Sequence, residues 1–191
     1  MSGGEFDLHA ALRRREALLE GHFRLSSGRH SDRFVQKFRI LEDPSLLEPV
    51  GRAIAERFRA ERPTVVVSAA VGGILLGYEV ARHLGVKAIF VEKEHGAPVL
   101  RRGFTLSPAD RALVVEDVVT TGISVGEVVD VVREHGAQIA GIGAMVMRAP
   151  SFASSVPFHA LLDLPLLSFA EEECPQCRAG EPITDPGSRR A

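Results

Sequence analysis

The feature that most constrains this chain is an alternation, across residues 64–162, of short β-branched apolar runs with glycine-marked loops and helical stretches. The runs fall at residues 64–68, 86–91, 112–116, 139–147 and 158–162, and the intervals 73–84 and 124–136 carry helical spacing. Strands apolar on both faces belong in a parallel sheet covered by helices, because a strand with one wet face would alternate with polar residues. The expected fold class is therefore α/β, with a central, mainly parallel sheet flanked by helices. Sheets of this kind bind ligands beyond the carboxyl ends of their strands, so the loops after each run are where chemistry is expected.

The flanking segments read differently. Residues 5–20 place apolar side chains at helical spacing and stop at Gly21, which predicts a helix with a C-terminal glycine. Residues 22–40 alternate at both ends around a small-residue and basic loop, Ser26, Ser27, Gly28, Arg29, His30 and Ser31, which predicts strand, turn and strand. Pro44 opens an amphipathic helix with Pro49 expected in or near its first turn. Residues 93–107 are long, charged and weakly patterned, as a mobile active-site loop would be.

Length and composition narrow the function. A chain of 191 residues, 45 % hydrophobic and 25 % charged, is expected to fold as one domain over residues 1–191. Its net charge of −2 supplies no broad basic field, so no nucleic-acid partner is expected. There is no long apolar run and no apolar signal core at the start, so no membrane partner and a cytoplasmic location are expected. Only three of the 23 basic residues are lysines, Lys37, Lys87 and Lys93, and the rest are arginines.

The most informative segment is ALVVEDVVTTGIS, residues 112–124. A hydrophobic strand ends in Glu116 and Asp117, and Thr120, Thr121, Gly122 and Ser124 follow where a helix begins. Hydroxyls beside the unpaired N–H groups of a helix N-terminus make an anion site. Two carboxylates just before a phosphate cradle would repel the phosphate unless they address a neutral or cationic part of the same ligand. A sugar phosphate, with hydroxyls or Mg²⁺ for the acids, meets both demands. Neither GxxxxGK[ST] nor a strand followed by GxGxxG occurs, which counts against nucleotide hydrolysis and dinucleotide redox chemistry.

VVEDVVTTGIS resembles the phosphoribosyl pyrophosphate (PRPP) motif of the type I phosphoribosyltransferases. LSSGRHSDRFVQ, SAAVGGILLGYEVARHLG, FVEKEHGAPVLRRGF, MVMR and the terminal CPQCRAGEPITDPGSR resemble its orotate phosphoribosyltransferase branch, from about Gly21 to the end of the chain. The resemblance implies a type I phosphoribosyltransferase fold with a small hood built from about residues 1–40 and the C-terminal segment. It implies transfer of phosphoribose from PRPP to N1 of orotate in pyrimidine synthesis, with Mg²⁺ carried mainly by PRPP and a homodimer whose active sites are shared.

Residue roles are implied in the same way. Glu116 and Asp117 match acids that hold the ribose hydroxyls, Val118 and Val119 fall in the same PRPP-binding motif, and Thr120, Thr121, Gly122, Ile123 and Ser124 match the 5′-phosphate loop. Ala70, Val71 and Gly72 match the small-residue loop against the pyrophosphate. Thr120, Arg148, Ser27, Arg29 and Phe34 match the orotate site. Lys93, Arg101 and Arg102 match mobile-loop cations that serve the leaving group, with Asp117 as the fourth catalytic candidate. In physical terms, displacing pyrophosphate builds positive charge on the ribose and negative charge on the leaving group, which carboxylates and cations respectively stabilise.

Departures from the family pattern are Ser26, Glu92 and His95, where many relatives carry basic residues, and Ser68-Ala69, where many carry Gly-Pro. Cys174-Pro-Gln-Cys177 leaves three readings open: half a zinc site, a short redox pair, or two plain thiols. Metal would need a histidine or a symmetry-related pair, and a pair so close in sequence is expected not to staple distant parts of the chain. Two other functions share features with the leading one. A purine phosphoribosyltransferase would keep the PRPP motif without a cation for a carboxylate, and a PRPP-sensing regulator would show a clustered basic surface.

Overall fold

The computed structural model describes residues 6–25, 27–149 and 152–186. The predicted helix over 5–20 is shorter than expected: α1 spans Leu8–Arg14, capped by the Asp7 carboxylate accepting from the Ala10 N–H at 2.9 Å. The chain turns at Glu16, whose φ is 49°, and Leu18–Arg24 becomes β1. Cross-strand partners decide this. β1 pairs antiparallel with β2 (His30–Val35), setting Leu18 against Val35 and Leu19 against Phe34, and this pairing overrides helical spacing. After a short helix α2 (Phe38–Leu41), α3 runs over Pro44–Phe58, capped by Asp43. Pro49 lies in its second turn rather than its first.

The remaining elements alternate as expected: β3 (Val65–Ala69), α4 (Gly73–Leu84), β4 (Lys87–Glu94), β5 (Ala97–Leu100), β6 (Arg111–Val119), α5 (Ile123–Glu134), β7 (Gln138–Met147), β8 (Phe158–Asp163) and a short α6 (Pro175–Arg178). Their sheet has the order β5-β4-β3-β6-β7-β8. All neighbours are parallel except the edge pair β4–β5.

Both faces of this sheet are buried, as the apolar runs required. Val66, Leu113 and Val115 face α3 and α4 together with Ile54, Phe58 and Leu76. Val65, Val67, Ala112 and Val114 face α5 with Val128 and Val132. Each such side chain contributes roughly 1.5–3 kcal/mol on burial, so the parallel strands hold a fixed register and their carboxyl ends share one edge.

Residues 93–107 are only in part the weakly patterned loop expected from the sequence: residues 93–100 are strand and turn, and residues 101–107 carry neither helix nor strand. β4 continues through Glu94, turns at His95 and Gly96 with φ of 50° and 86°, and returns as β5. Two successive residues in the left-handed region make the tight turn that matches strand twist. The charged pattern belongs to an edge hairpin, whose exposed strand needs no apolar alternation.

β1 and β2 form a separate two-stranded sheet, closed by the C-terminal segment. Phe23 bridges to Thr184 and His30 to Phe169. No described helix is long and apolar enough to cross a membrane.

Candidate active site

The carboxyl ends of β3, β4, β6 and β7 bring together residues 69–73, Lys93, the acid pair with the loop after it, and Arg148. The predicted acids sit deepest. Asp117 is buried; its Oδ1 accepts from the Val118 N–H at 2.6 Å, and its Oδ2 faces Lys37 Nζ at 2.6 Å. Oδ2 has no hydrogen-bond partner among the described groups, so this contact is charge against charge. Glu116 Oε1 accepts from the Asp117 N–H at 3.0 Å. Burial, and then the neighbouring Asp117 charge, push the Glu116 carboxyl up to about 8. Burial and the like charge thus favour the protonated form of Glu116, a bias that a bound cation would oppose.

Lys37 was not singled out by the motif reading. It precedes α2 and is one of only three lysines in the chain. That scarcity was the available signal: where arginine is the default cation, a lone compact ammonium stands out. Gly72 lies over the same pair. A Cβ there would stand 1.9 Å from Asp117 Oδ2 and 2.7 Å from Lys37 Nζ, so no side chain fits. The Ala70–Val71 peptide bond that leads into this cover is cis, and Val71 is exposed.

The loop after β6 also has the predicted form. Gly122, at φ 80°, occupies the position before α5, and a Cβ there would meet the Phe152 ring at 2.4 Å. α5 starts at Ile123, so the N–H groups of its first turn open beside the exposed Thr120, Thr121 and Ser124. Glu116, Val118, Val119 and the loop to Val125 line a cavity of about 30 Å³. A larger concavity of about 480 Å³ lies between α1 and the start of α3. It is lined by charges such as Arg15 and Asp43 that already pair with each other.

The loop cations occupy a different state. Lys93 Nζ donates to Glu127 Oε1 at 2.7 Å, Arg101 pairs with Glu94 at 2.7 Å, and Arg102 pairs with Glu92 at 2.8 Å while resting over the Phe90 ring. All three are more than half exposed. Glu92, a departure from the family pattern, thus acts as the holder of Arg102.

Arg148 follows β7. Its Nε is buried with no hydrogen-bond partner among the described residues, and desolvation lowers the guanidinium pKa. A buried guanidinium N–H without a partner is costly, and an anion would satisfy it. The backbone links it to the β1–β2 sheet, since Leu166 N–H donates to Arg148 O at 3.4 Å and two residues later Ser168 receives Arg29. Arg29 is therefore held by the Ser168 hydroxyl and carbonyl, Ser27 is exposed, and Phe34 packs on Phe23 at 6.0 Å. Ser26 lies outside the described residues.

Comparison with known proteins agrees with this geometry. The family model described as the phosphoribosyl transferase domain matches residues 38–151. An orotate phosphoribosyltransferase from Caldanaerobacter subterraneus subsp. tengcongensis is 46 % identical over 92 % of this chain and 93 % of its own. One from Heliobacterium modesticaldum is 49 % identical over 93 % of this chain and 94 % of its own. Among solved structures, the orotate phosphoribosyltransferase of Aeropyrum pernix superposes with a TM-score of 0.70 at 26 % identity, covering 83 % of this chain and 94 % of that one.

Proposed function

The chain belongs to the phosphoribosyltransferase family, in its orotate branch, and from that premise we propose how its site transfers phosphoribose from PRPP to N1 of orotate, releasing pyrophosphate. The observation that carries the reading is the acid pair placed directly before the start of a helix, with Arg148, whose buried Nε has no hydrogen-bond partner among the described residues, one strand away.

The 5′-phosphate binds the loop from Val118 to Ser124, where the α5 N–H groups and the hydroxyls of Thr120, Thr121 and Ser124 donate to it. The ribose hydroxyls take Asp117 and Glu116, and Lys37 yields its place on Asp117 Oδ2 as the Ala70–Gly72 cover gives way. Orotate carries a carboxylate, which Arg148 neutralises, with Thr120, Ser27, Arg29 and Phe34 completing the base site. The oxygen donors fit Mg²⁺, a hard cation bound through one or two carboxylates together with substrate phosphates, and Asp117 Oδ2, buried and already facing the cation Lys37 at 2.6 Å, is the oxygen placed to take it. Asp117 and Glu116 would hold it with PRPP, and when bound it offsets charge on the departing pyrophosphate.

As the C–O bond to pyrophosphate breaks, the carboxylates stabilise positive charge on the ribose. Lys93, Arg101 and Arg102 leave Glu127, Glu94 and Glu92 for the pyrophosphate oxygens, and the hairpin closes over the site and excludes water. The hairpin serves the neighbouring subunit of a homodimer. Both substrates are anions made and used in the cytoplasm, where we place the protein.

The test is orotate consumption followed by ultraviolet absorbance with PRPP and Mg²⁺, alongside adenine, hypoxanthine, guanine, xanthine and uracil with pyrophosphate detection. Turnover with orotate alone is expected. Turnover with a purine and none with orotate would overturn the base assignment.

A further inference from the structure

We propose that His22, His30, Cys174 and Cys177 bind one zinc ion, in a structural site separate from the catalytic edge. His22 lies on β1, His30 on β2, and the cysteines bracket the start of α6, yet one donor atom from each lies within 4.8 Å of all the others. His22 Nε2 stands 3.1 Å from His30 Nδ1 and 3.5 Å from both sulfurs, and His30 Nδ1 is 3.1 Å from Cys177 Sγ. A tetrahedral zinc with Zn–S of ~2.3 Å and Zn–N of ~2.0–2.1 Å spaces its ligand atoms by about 3.3–3.8 Å. The four pair distances of 3.1–3.5 Å fall at or a few tenths of an ångström below those edges, and all the donors stay within 4.8 Å of one another, so a small shift of the sulfurs completes the tetrahedron.

Protonation supports the geometry. A backbone carbonyl only accepts, so His22 Nδ1, 2.9 Å from Glu181 O, carries its proton there, and Nε2 turns a lone pair toward the cluster. This is the outer hydrogen bond that fixes the tautomer of metal-bound histidines. His22, His30 and Cys174 are buried, and Cys174 and Cys177 form no disulfide. Thiols are weak donors, so hydrogen bonding alone satisfies this concentration of lone pairs poorly, whereas one dication satisfies all four. Two thiolates with two imidazoles is a donor set suited to zinc, and four protein ligands close the site to substrate.

The sequence reading held that the cysteine pair cannot staple distant parts of the chain. With the two histidines it does so, joining residues 22 and 30 to 174 and 177. Gln176 Nε2 donates to Gly21 O at 3.0 Å, and the Phe23–Thr184 and His30–Phe169 bridges flank the cluster, so the ion locks the C-terminal segment onto the β1–β2 sheet.

The experiment uses the full, untagged chain purified without chelator from zinc-supplemented medium. Elemental analysis after desalting should find close to one zinc per chain. Exchange with Co²⁺ should give the visible bands of a tetrahedral site and a thiolate-to-cobalt charge-transfer band. Cys177→Ser should weaken zinc binding at least about a hundredfold, since loss of even an outer partner costs about 10–100-fold. Cys177→His should keep the ion with an altered cobalt spectrum, which separates ligand loss from misfolding. A cooperatively folded chain with no zinc and no cobalt bands, a Cys174–Cys177 disulfide in the purified protein, or zinc retained undiminished in Cys174→Ser/Cys177→Ser would each overturn the proposal.

Discussion

The two halves of the catalytic edge are built on opposite terms. At the end of β6 the acid pair is buried, its oxygens are fixed by backbone N–H groups, and Gly72 seals it against Lys37. On the β4–β5 hairpin and just after it the three cations are exposed and held by glutamates, Lys93 by Glu127 of α5 and Arg101 and Arg102 by Glu94 and Glu92 of β4. The difference teaches how a site can be both pre-formed and inactive. The half we assign to the sugar is set by the core, at a cost the core sustains. The half that serves the leaving group is parked in surface ion pairs worth only ~0–1 kcal/mol each, which a polyphosphate can readily replace.

Substitutions should break this contrast with unequal force. The largest effect is expected for Asp117→Asn, which keeps the shape and removes the charge. It should lower kcat/KM by about 10²–10³-fold, the scale of losing one well-placed electrostatic group, read by orotate absorbance. Lys93→Ala should cost about tenfold to a hundredfold, mainly in kcat, with a melting temperature within a degree or two of wild type because only a surface pair is lost. If the hairpin serves the partner subunit, mixing Lys93→Ala with Asp117→Asn chains should restore part of the activity through hybrid sites. Mixed dimers without activity would break that element.

Lys37→Met sharpens the comparison from the other side. It leaves Asp117 buried without its cation, and should destabilise the chain by about 1–3 kcal/mol, less than the ~3–5 kcal/mol of a fully buried pair because the Lys37 side chain is a third exposed. The Glu116 carboxyl gives a pH signature. Its folded pKa of about 8 stands above the unfolded value, so the folded state binds the extra proton between pH ~4.5 and ~8. Stability should therefore fall as pH rises through that window and level off above it. Glu116→Gln should flatten the decline, by a few kcal/mol at its upper end, in ligand-free thermal melts. The smallest effect is expected for Glu92→Gln, which frees Arg102 and should change kcat by no more than a few-fold.

How far the sequence foretold the molecule follows the same division. The β-branched runs from Val65 to Met147 and the boundaries of α4 were legible because strands buried on both faces leave nothing else for such residues to do. The acids and the Thr-Thr-Gly loop were legible because their chemistry is local to one turn. Leu18 and Leu19 misled, since their helical spacing also suits a strand and only Val35 and Phe34 decide between them. Residues 93–107 misled because an exposed edge hairpin carries no core pattern. Lys37 and the His22, His30, Cys174 and Cys177 cluster stayed hidden for a further reason: each becomes a site only through partners far away in sequence.

The contrast between the two halves is tested most directly by measuring PRPP binding by calorimetry beside orotate turnover, in Asp117→Asn and Lys93→Ala with Mg²⁺ present. The account predicts that Asp117→Asn loses both, while Lys93→Ala keeps PRPP affinity within a few-fold and loses turnover. Undiminished PRPP binding and turnover in Asp117→Asn, or normal turnover in Lys93→Ala, would contradict it.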